Sequence, residues 1–228
     1  MDPAKNTLVL RTVTSSLFDE NAYLIAAAGS DQLAVVDPGL EPDAILAEID
    51  ALGLAPAAIL NTHGHADHIA GNGALKDRWP DCPLIIGAGD AEKLQDPRSN
   101  LSADFGVPLV SPPADRTVRE GDVVDVAGVR WTVRETPGHS RGHVVFVCHD
   151  LSPPIVLGGD VLFAGSVGRT DFPDGDAATL VASIRDKLFT LPDDAIVLPG
   201  HGPPTTIGRE KESNPFVGRR ARSMGEGW

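Results

Sequence analysis

The sequence predicts a single α/β domain with mixed sheets and helices on the outside. Apolar strand-like runs come first as meanders and then alternate with helical patterns, which is typical of this class. The 228 residues include 24 glycines and 19 prolines, as expected where tight turns join many short elements. No linker, repeat or charge block divides the chain. We therefore expect one domain over residues 1–208, followed by a C-terminal tail over residues 209–228.

The first half of the chain predicts a meander that leads into helices. Strands are expected where apolar runs end at turn signals such as Asp37-Pro38-Gly39. A helix is expected over 41–52, because apolar residues recur on one face and Gly53 follows as a stop signal. The other predicted elements are strands over 7–13, 22–25, 33–36, 57–60 and 84–86 and a helix over 69–79.

The second half predicts paired strands and then a long helix. Residues 118–126 and 129–135 alternate like two strands joined across Ala127-Gly128. The long helix has an acidic start at Asp174 and Asp176, which suits a helix N-terminus. Residues 91–113 are rich in proline and predict mostly loop with one short helix, and the tail is expected to be loose. The other predicted elements are strands over 144–148, 155–157 and 196–198 and the helix over 177–189.

Charge and composition exclude several classes of function. The formal net charge of −13 argues against nucleic acid or an anionic membrane as partner, because both attract positive surfaces. No window approaches the 18 or so apolar residues of a membrane span, and the first twenty residues lack the pattern of a secretory signal. We therefore expect a cytoplasmic protein. Cys82 and Cys148 are too few for a disulfide framework.

Histidine and aspartate side chains cluster where predicted strands end. Three histidines and an aspartate fall within six residues, directly after the strand over 57–60. Three more such residues each follow a glycine that ends another strand. In open α/β folds, sites are built at the carboxyl ends of strands. The seven residues are His63, His65, Asp67, His68, His139, Asp160 and His201.

The spacing of these residues predicts a metal site. His63 and His65 point the same way in an extended segment, so both can reach one ion. Asp67 and His68 lie where the chain turns into a helix and can face a second point nearby. Imidazole and carboxylate ligands without thiolate suit Zn²⁺, Fe or Mn²⁺. The alternative, surface histidines on a solvated loop, fits poorly with so dense a cluster.

The same residues carry a resemblance to a known family. The order His63-x-His65-x-Asp67-His68, then His139, Asp160 and His201, resembles the metallo-β-lactamase superfamily. Further motifs are similar to the glyoxalase II group, and the stretch from Thr205 is similar to its small stand-alone bacterial members. Those motifs are Ala34-Val35-Val36-Asp37-Pro38-Gly39, Thr136-Pro137-Gly138-His139, Gly159-Asp160-Val161-Leu162-Phe163, Gly168-Arg169-Thr170-Asp171-Phe172 and Pro199-Gly200-His201-Gly202.

The resemblance implies a four-layer αβ/βα sandwich with two divalent metal ions at one edge. Zinc is the expected metal, with iron or manganese as alternatives. Asp67 and Asp160 are the expected catalytic carboxylates, and Asp160 would bridge the two ions. The first ion would be held by His63, His65 and His139, and the second by Asp67, His68 and His201.

The resemblance also implies a metal-dependent hydrolase that cleaves a small thioester such as S-lactoylglutathione. Two metals about 3.5–4 Å apart lower the pKa of a shared water from 15.7 towards about 7, and the hydroxide attacks the carbonyl. A thiol with a pKa near 8.5 then leaves without a dedicated general acid. Arg169 is the expected substrate-binding residue, because arginine grips carboxylates, with an ion pair to Asp171 as its alternative role.

Other readings remain open at this point. A mononuclear-iron persulfide dioxygenase would use His63, His139 and Asp160. A lactonase or β-lactamase-like enzyme of the same fold is a further alternative, because the fold does not fix the substrate. Gly138-His139-Ser140-Arg141-Gly142 fits a serine hydrolase motif, but the strand pattern that follows replaces the helix which that motif needs. The oligomeric state is left undetermined by the sequence.

Overall fold

A computed structural model of the protein describes residues 7–219 and 221. Within these residues, two six-stranded sheets and a two-stranded ribbon form the framework. The helices are α1 (Pro42–Leu52), α2 (Ala66–Ile69), α3 (Asn72–Arg78), α4 (Ala177–Ser183) and α5 (Ile207–Ser213). Short 3₁₀ turns lie at Ala91–Gln95 and Ser102–Phe105, and a π-type turn at Ile184–Leu188 follows α4.

The first sheet is built from the first half of the chain. Its strands lie in sequence order, from an antiparallel meander of β1, β2 and β3 into a parallel half of β3 to β6. The parallel half needs crossovers, and α1, α2 and α3 lie on these connections. The strands are β1 (Leu8–Thr14), β2 (Asn21–Ala27), β3 (Gln32–Val36), β4 (Ala55–Asn61), β5 (Leu84–Gly87) and β6 (Arg116–Val118).

The second sheet has the order β14-β13-β10-β9-β8-β7. Only the β10–β13 pair is parallel, and α4 lies on its crossover. The ribbon pairs β11 with β12. These strands are β7 (Val123–Val126), β8 (Val129–Glu135), β9 (Val144–Cys148), β10 (Ile155–Gly159), β11 (Leu162–Phe163), β12 (Ser166–Val167), β13 (Ile196–Pro199) and β14 (Thr205–Thr206).

Strand β9 shows why the fold has layers. All five of its residues are buried, and alternate side chains enter different cores. Val144 and Phe146 belong to the larger core, which joins the two sheets to each other and the first sheet to apolar residues of α1 and α3. Val145 and Val147 pack with α4 and α5 on the other face. The result is the four-layer αβ/βα sandwich.

Three predicted elements divide in the structure. The helix predicted over 69–79 breaks between α2 and α3, where Gly71 N–H donates to the Pro38 carbonyl at 2.7 Å. A Cβ on Gly71 would lie 2.9 Å from that oxygen, so the close approach requires glycine. The strand predicted over 118–126 is two strands in different sheets, and the helix predicted over 177–189 changes into the π-type turn.

The chain continues to pack beyond the predicted boundary at residue 208. Helix α5 runs through that position. Ile207 and Val217 belong to the core that Val145 and Val147 form with α4 and α5. Glu210 is fully buried and accepts hydrogen bonds from Gly165 N–H and the Asn214 amide. The structure therefore places residues 209–217 in the domain rather than in a loose tail. The remainder of the predicted tail, residue 220 and residues 222–228, lies outside the described residues.

Among the residues that the structure describes, no helix is both long and apolar enough to cross a bilayer.

Candidate metal centre

The seven predicted ligands sit on loops that leave the same edge of the two sheets. Strands β8, β10 and β13 run in one direction and end just before His139, Asp160 and His201. In the other sheet, β4 ends just before His63. The sheets are joined at this edge by the hydrogen bond from Val144 N–H to the Thr62 carbonyl, at 2.8 Å. The fold thus brings four loops that are far apart in the sequence to one edge of the two sheets.

The first ligand group is His63, His65 and His139. Their donor atoms lie within 4.8 Å of one another, and all three side chains are buried. His65 Nδ1 and His139 Nε2 are 2.9 Å apart. His139 Nδ1–H donates to the Arg169 carbonyl at 2.8 Å, which leaves Nε2 with its lone pair toward the group.

The second ligand group is Asp67, His68 and His201, again within 4.8 Å of one another. His68 Nε2 and His201 Nε2 are 3.3 Å apart, and Asp67 Oδ2 lies 3.4 Å from the latter and 3.8 Å from the former. Tetrahedral bonds of about 2.0–2.2 Å to one ion would separate neighbouring ligand atoms by about 3.3–3.6 Å. Two of the three observed separations fall within that range, and the third exceeds it by 0.2 Å.

Asp160 lies between the two groups. Its Oδ2 is 3.6 Å from His139 Nε2 and 3.3 Å from His201 Nε2, while Oδ1 is 3.4 Å from His68 Nε2. A Cβ on Gly200 would come within 2.2 Å of Asp160 Oδ1, so the glycine before His201 leaves room for this carboxylate. The structure therefore brings all seven predicted residues together, with Asp160 facing both groups.

Asp37 orients ligands of both groups. Its carboxylate accepts from the Thr62 N–H and the Thr62 hydroxyl, both at 2.7 Å, and from His68 Nδ1 at 3.3 Å. Because the Thr62 hydroxyl proton is used on Asp37, its oxygen is free to accept from His63 Nδ1 at 3.1 Å. Both histidines are thereby turned so that Nε2 faces the centre.

Asp90 joins two of the ligand loops. It is fully buried and accepts hydrogen bonds from Gly64 N–H, Gly142 N–H and the Ser140 hydroxyl at 2.7–3.0 Å. The first donor belongs to the His63–His65 loop, and the other two belong to the His139 loop. Lys93, also buried, lies 3.5 Å from this carboxylate and 2.6 Å from that of Asp174. Ser140 is thus buried and hydrogen-bonded, which removes the support for a serine nucleophile.

His143 holds Asp160 through its backbone. It is fully buried, and its Nε2 accepts from Asp160 N–H at 3.0 Å while Nδ1 donates to the Thr136 hydroxyl at 3.0 Å. Burial holds the pKa of His143 well below its usual value, so the ring stays neutral and keeps its acceptor lone pair.

The charge balance of the centre differs between the two groups. Burial lowers the pKa of His63 and His65, and the neighbouring histidines add to this effect. Burial also opposes the charge of His68 and His201, but carboxylates outweigh it: Asp160 and Asp67 raise the pKa of His68 well above its usual value and that of His201 to about 10. Carboxylates that favour protons here favour a bound cation for the same electrostatic reason.

The orphaned atoms of the centre also fit a metal. Within the described part of the chain, His63 Nε2 and Asp160 Oδ1 face the centre and are buried without a hydrogen-bond partner. Leaving a buried polar atom unsatisfied costs about 1–3 kcal/mol, so such atoms require an explanation. His201 repeats the pattern of His139, since its Nδ1 donates to the Phe18 carbonyl at 2.9 Å and leaves Nε2 for the centre. The donor set accepts two divalent cations.

Comparison with known proteins decides the family. A family model described as the metallo-beta-lactamase superfamily matches residues 16–201. The chain belongs to the metallo-β-lactamase superfamily. This membership makes it part of a superfamily of metallohydrolases, and with the ligand cluster it indicates a binuclear metal site.

Three known proteins illustrate the similarity. A Haemophilus influenzae protein named hydroxyacylglutathione hydrolase GloC is 36% identical over 93% of this chain and 99% of its own. The crystal structure of BLEG-1 B3 metallo-beta-lactamase has a TM-score of 0.86 at 34% identity, over 92% of this chain and 99% of its own. The structure of TTHA1623 in a di-iron-bound form has a TM-score of 0.79 at 37% identity, over 91% and 100%.

A cavity of about 750 Å³ opens above the predicted metal-ligating side chains. Its floor includes His65, Asp67, His139, Asp160 and His201. A volume of this size suits a small-molecule substrate.

Arg169 lines this cavity, but its guanidinium is already engaged. Nε and an Nη of Arg169 each lie 2.7 Å from an Asp171 carboxylate oxygen, and the guanidinium stacks 4.3 Å from the centre of the Phe172 ring. That hydrogen-bonded guanidinium holds the pKa of Asp171 at about 2. The structure thus shows the ion pair that was the alternative role of Arg169, and its role in substrate binding stays a prediction.

Sequence reasoning assigned no role to Asp90, Lys93 or Asp37. Asp37 belongs to a motif of the resemblance, and a strand ending in Asp-Pro-Gly was read only as a turn. Asp90 lies 26 residues from Gly64 and 52 residues from Gly142, so no local spacing signals these contacts. For Asp37, its position directly after the strand predicted over 33–36 was the one available signal.

Proposed function

We propose that the protein is a dinuclear metal-dependent hydrolase that cleaves a small-molecule thioester in the cavity above the seven ligands. The observation that carries the proposal is the pair of complete nitrogen and oxygen ligand groups that share Asp160 at the floor of an open cavity. A closed structural site would have no such access.

The chain's own residues position the reaction. Two bound divalent cations would supply an ionised water near neutral pH and polarise a carbonyl oxygen. Asp37, His143 and the Arg169 carbonyl fix the ligand side chains in advance, so no reorganisation is needed during the reaction. Asp67 places Oδ2 beside His68 and His201 as part of the second ligand group, and its other carboxylate oxygen is the one that could accept or hand on a proton.

The overall reaction is the hydrolysis of a thioester to a carboxylic acid and a thiol. The hydroxide oxygen forms a bond to the acyl carbon, the carbon–sulfur bond breaks, and the electron pair leaves on sulfur. Because a thiol has a pKa near 8.5, it departs as thiolate and takes a proton from solvent. The name of the Haemophilus influenzae relative supports a thioester of this kind.

Metal content and activity measured on the same protein test the proposal. We expect about two zinc ions per chain after reconstitution, and hydrolysis of S-lactoylglutathione that disappears on chelation. The Asp160→Asn variant should lose bound zinc and hydrolytic activity. The control Asp125→Asn removes an exposed carboxylate paired with Arg130 and should change neither the zinc content nor the activity. One iron per chain with persulfide-dependent oxygen uptake and no hydrolysis would instead establish a dioxygenase.

A further inference from the structure

One wall of the active-site cavity is apolar and comes from two separate loops. Leu17 and Phe18 lie in the turn between β1 and β2, and Phe105 and Val107 lie at and after the second 3₁₀ turn. The Phe18 and Phe105 rings meet edge to face with centroids 5.9 Å apart. This apolar wall, defined as Leu17, Phe18, Phe105 and Val107, is therefore continuous across the two loops.

Four of the six large apolar side chains that are exposed in the described part of the chain belong to the apolar wall. Its four side chains are between 43% and 71% exposed. Among the described residues, the other large exposed apolar side chains are Val110, in the same loop, and Val123 on β7. Scattered apolar residues on a surface are ordinary, but a concentration beside a cavity marks a binding site.

Apart from bound metal ions, the described lining of the cavity offers no lysine or arginine side chain that is free to pair with an anionic substrate. Arg169 is the one lysine or arginine among the described lining residues, and both arms of its guanidinium are held by Asp171. The chain's formal charge of −13 repels anions at longer range. A substrate with two free carboxylates, such as a glutathione thioester, would therefore gain little from charge in this cavity.

The two sides of the cavity differ in polarity, which orients a substrate. Phe18 adjoins the second ligand group, because its carbonyl accepts from His201 Nδ1. Arg169 adjoins the first group, because its carbonyl accepts from His139 Nδ1. A thioester carbonyl at the floor would thus have the apolar wall on one side and, on the other, the exposed Arg169–Asp171 ion pair stacked on Phe172. The departing thiolate is better solvated beside that ion pair than against the apolar wall.

We infer that the preferred substrates carry an apolar acyl chain of several carbons, which lies along the apolar wall while the thiol portion lies toward Arg169. This inference rests on the proposed function. Burial of each methylene is worth up to about a fourfold gain, from a transfer free energy of ~0.8 kcal/mol at 1.36 kcal/mol per tenfold.

A series of neutral thioesters tests the inference. The zinc-loaded protein is assayed with acetyl, butanoyl and hexanoyl thioesters of N-acetylcysteamine and with S-lactoylglutathione. We expect kcat/KM to rise about 10–100-fold from acetyl to hexanoyl, because the four added methylenes are partly buried. Hexanoyl should also exceed S-lactoylglutathione.

Variants locate the effect on the apolar wall. The double variant Leu17→Ala/Phe105→Ala should lose most of the chain-length dependence and keep its zinc content, since both side chains are more than 60% exposed. Val123→Ala is the matched control, because Val123 is also exposed but lies on β7 away from the cavity. A chain-length dependence that survives in the double variant would overturn the inference.

A binding measurement separates this inference from the proposed function. Calorimetry on the metal-free protein compares hexyl and methyl thioethers of N-acetylcysteamine, which cannot be hydrolysed. Tighter binding of the hexyl compound, lost in the double variant, supports the apolar acyl site even if no thioester is cleaved. Failure of hydrolysis with two zinc ions bound would count against the proposed function alone. Equal binding of both thioethers, or a preference for S-lactoylglutathione, would refute the inference alone.

Discussion

The floor and the rim of the active-site cavity are built in opposite ways. The floor consists of buried and half-buried histidines and carboxylates. The ligands and their loops are held by groups that accept hydrogen bonds from them, such as Asp37, Asp90 and His143. The rim consists of exposed apolar side chains on two loops, joined by the contact of Phe18 with Phe105. The floor is fixed by directional bonds in a low-dielectric interior, whereas non-directional contacts shape the rim.

This difference assigns separate tasks to the two regions. A preorganised floor can provide the same chemistry for many substrates, because its geometry does not depend on what binds above it. An apolar rim on surface loops can change its selectivity without disturbing the floor. Substitutions in the floor should therefore alter metal binding and rate, and those in the rim should alter the choice of substrate.

The largest effect is expected from the residue that faces both ligand groups. Asp160→Ala removes a carboxylate shared by the two groups, so the zinc content should fall from about two ions per chain to one or fewer. Hydrolysis should fall by about 10³-fold or more, which corresponds to several kcal/mol of lost charge stabilisation. Metal analysis and steady-state kinetics measure the two losses. Full retention of two zinc ions would contradict the bridging role.

Substitution of Asp90, which belongs to neither ligand group, should produce the next largest effect, a loss of metal affinity. Asp90→Asn replaces an acceptor that serves both ligand loops, and the loss of such a partner typically costs about 10–100-fold in metal affinity. Competition with a chelating dye measures the affinity. Asp115→Asn is the matched control, because Asp115 also accepts from a backbone N–H and pairs with a lysine but lies away from the ligand loops. An equal loss in both variants would mean general destabilisation.

Arg169 lies between the floor and the rim and should matter less. Arg169→Ala should reduce kcat/KM for S-lactoylglutathione by less than about fivefold, because exposed ion pairs contribute about 0.2–1 kcal/mol. Asp171→Asn should improve the same parameter by freeing the guanidinium. A loss above tenfold for Arg169→Ala would show that arginine grips the substrate, as the sequence analysis predicts.

The smallest effect on folding is expected at the rim. Phe105→Ala should change the free energy of unfolding by no more than about 0.5 kcal/mol, as is usual for exposed positions, since the side chain is 65% exposed. Denaturant titration of the zinc-loaded protein provides the measurement. A clear loss of stability would mean that the rim supports the floor, which would end the separation of tasks.

Much of the fold could be predicted because its signals are local. The strand over 144–148 has the predicted bounds, since five consecutive buried residues between turns leave few alternatives. Helix α1 starts one residue inside its prediction and ends at Gly53 as expected. The helix over 69–79 divided because Gly71 is needed against the Pro38 carbonyl, a contact across more than 30 residues. Its cause is tertiary and leaves no periodic pattern.

The sequence by itself determined the kinds of ligand, their order and the strand ends that carry them. Spacing such as His63-x-His65 acts over a few residues and can be read directly. Tertiary structure alone decided that Asp160 faces both groups, that Asp90 ties two loops together, and that two distant turns form one apolar wall. The physical reason is distance along the chain: a pattern encodes what neighbouring residues share, whereas these contacts exist only after both sheets have packed.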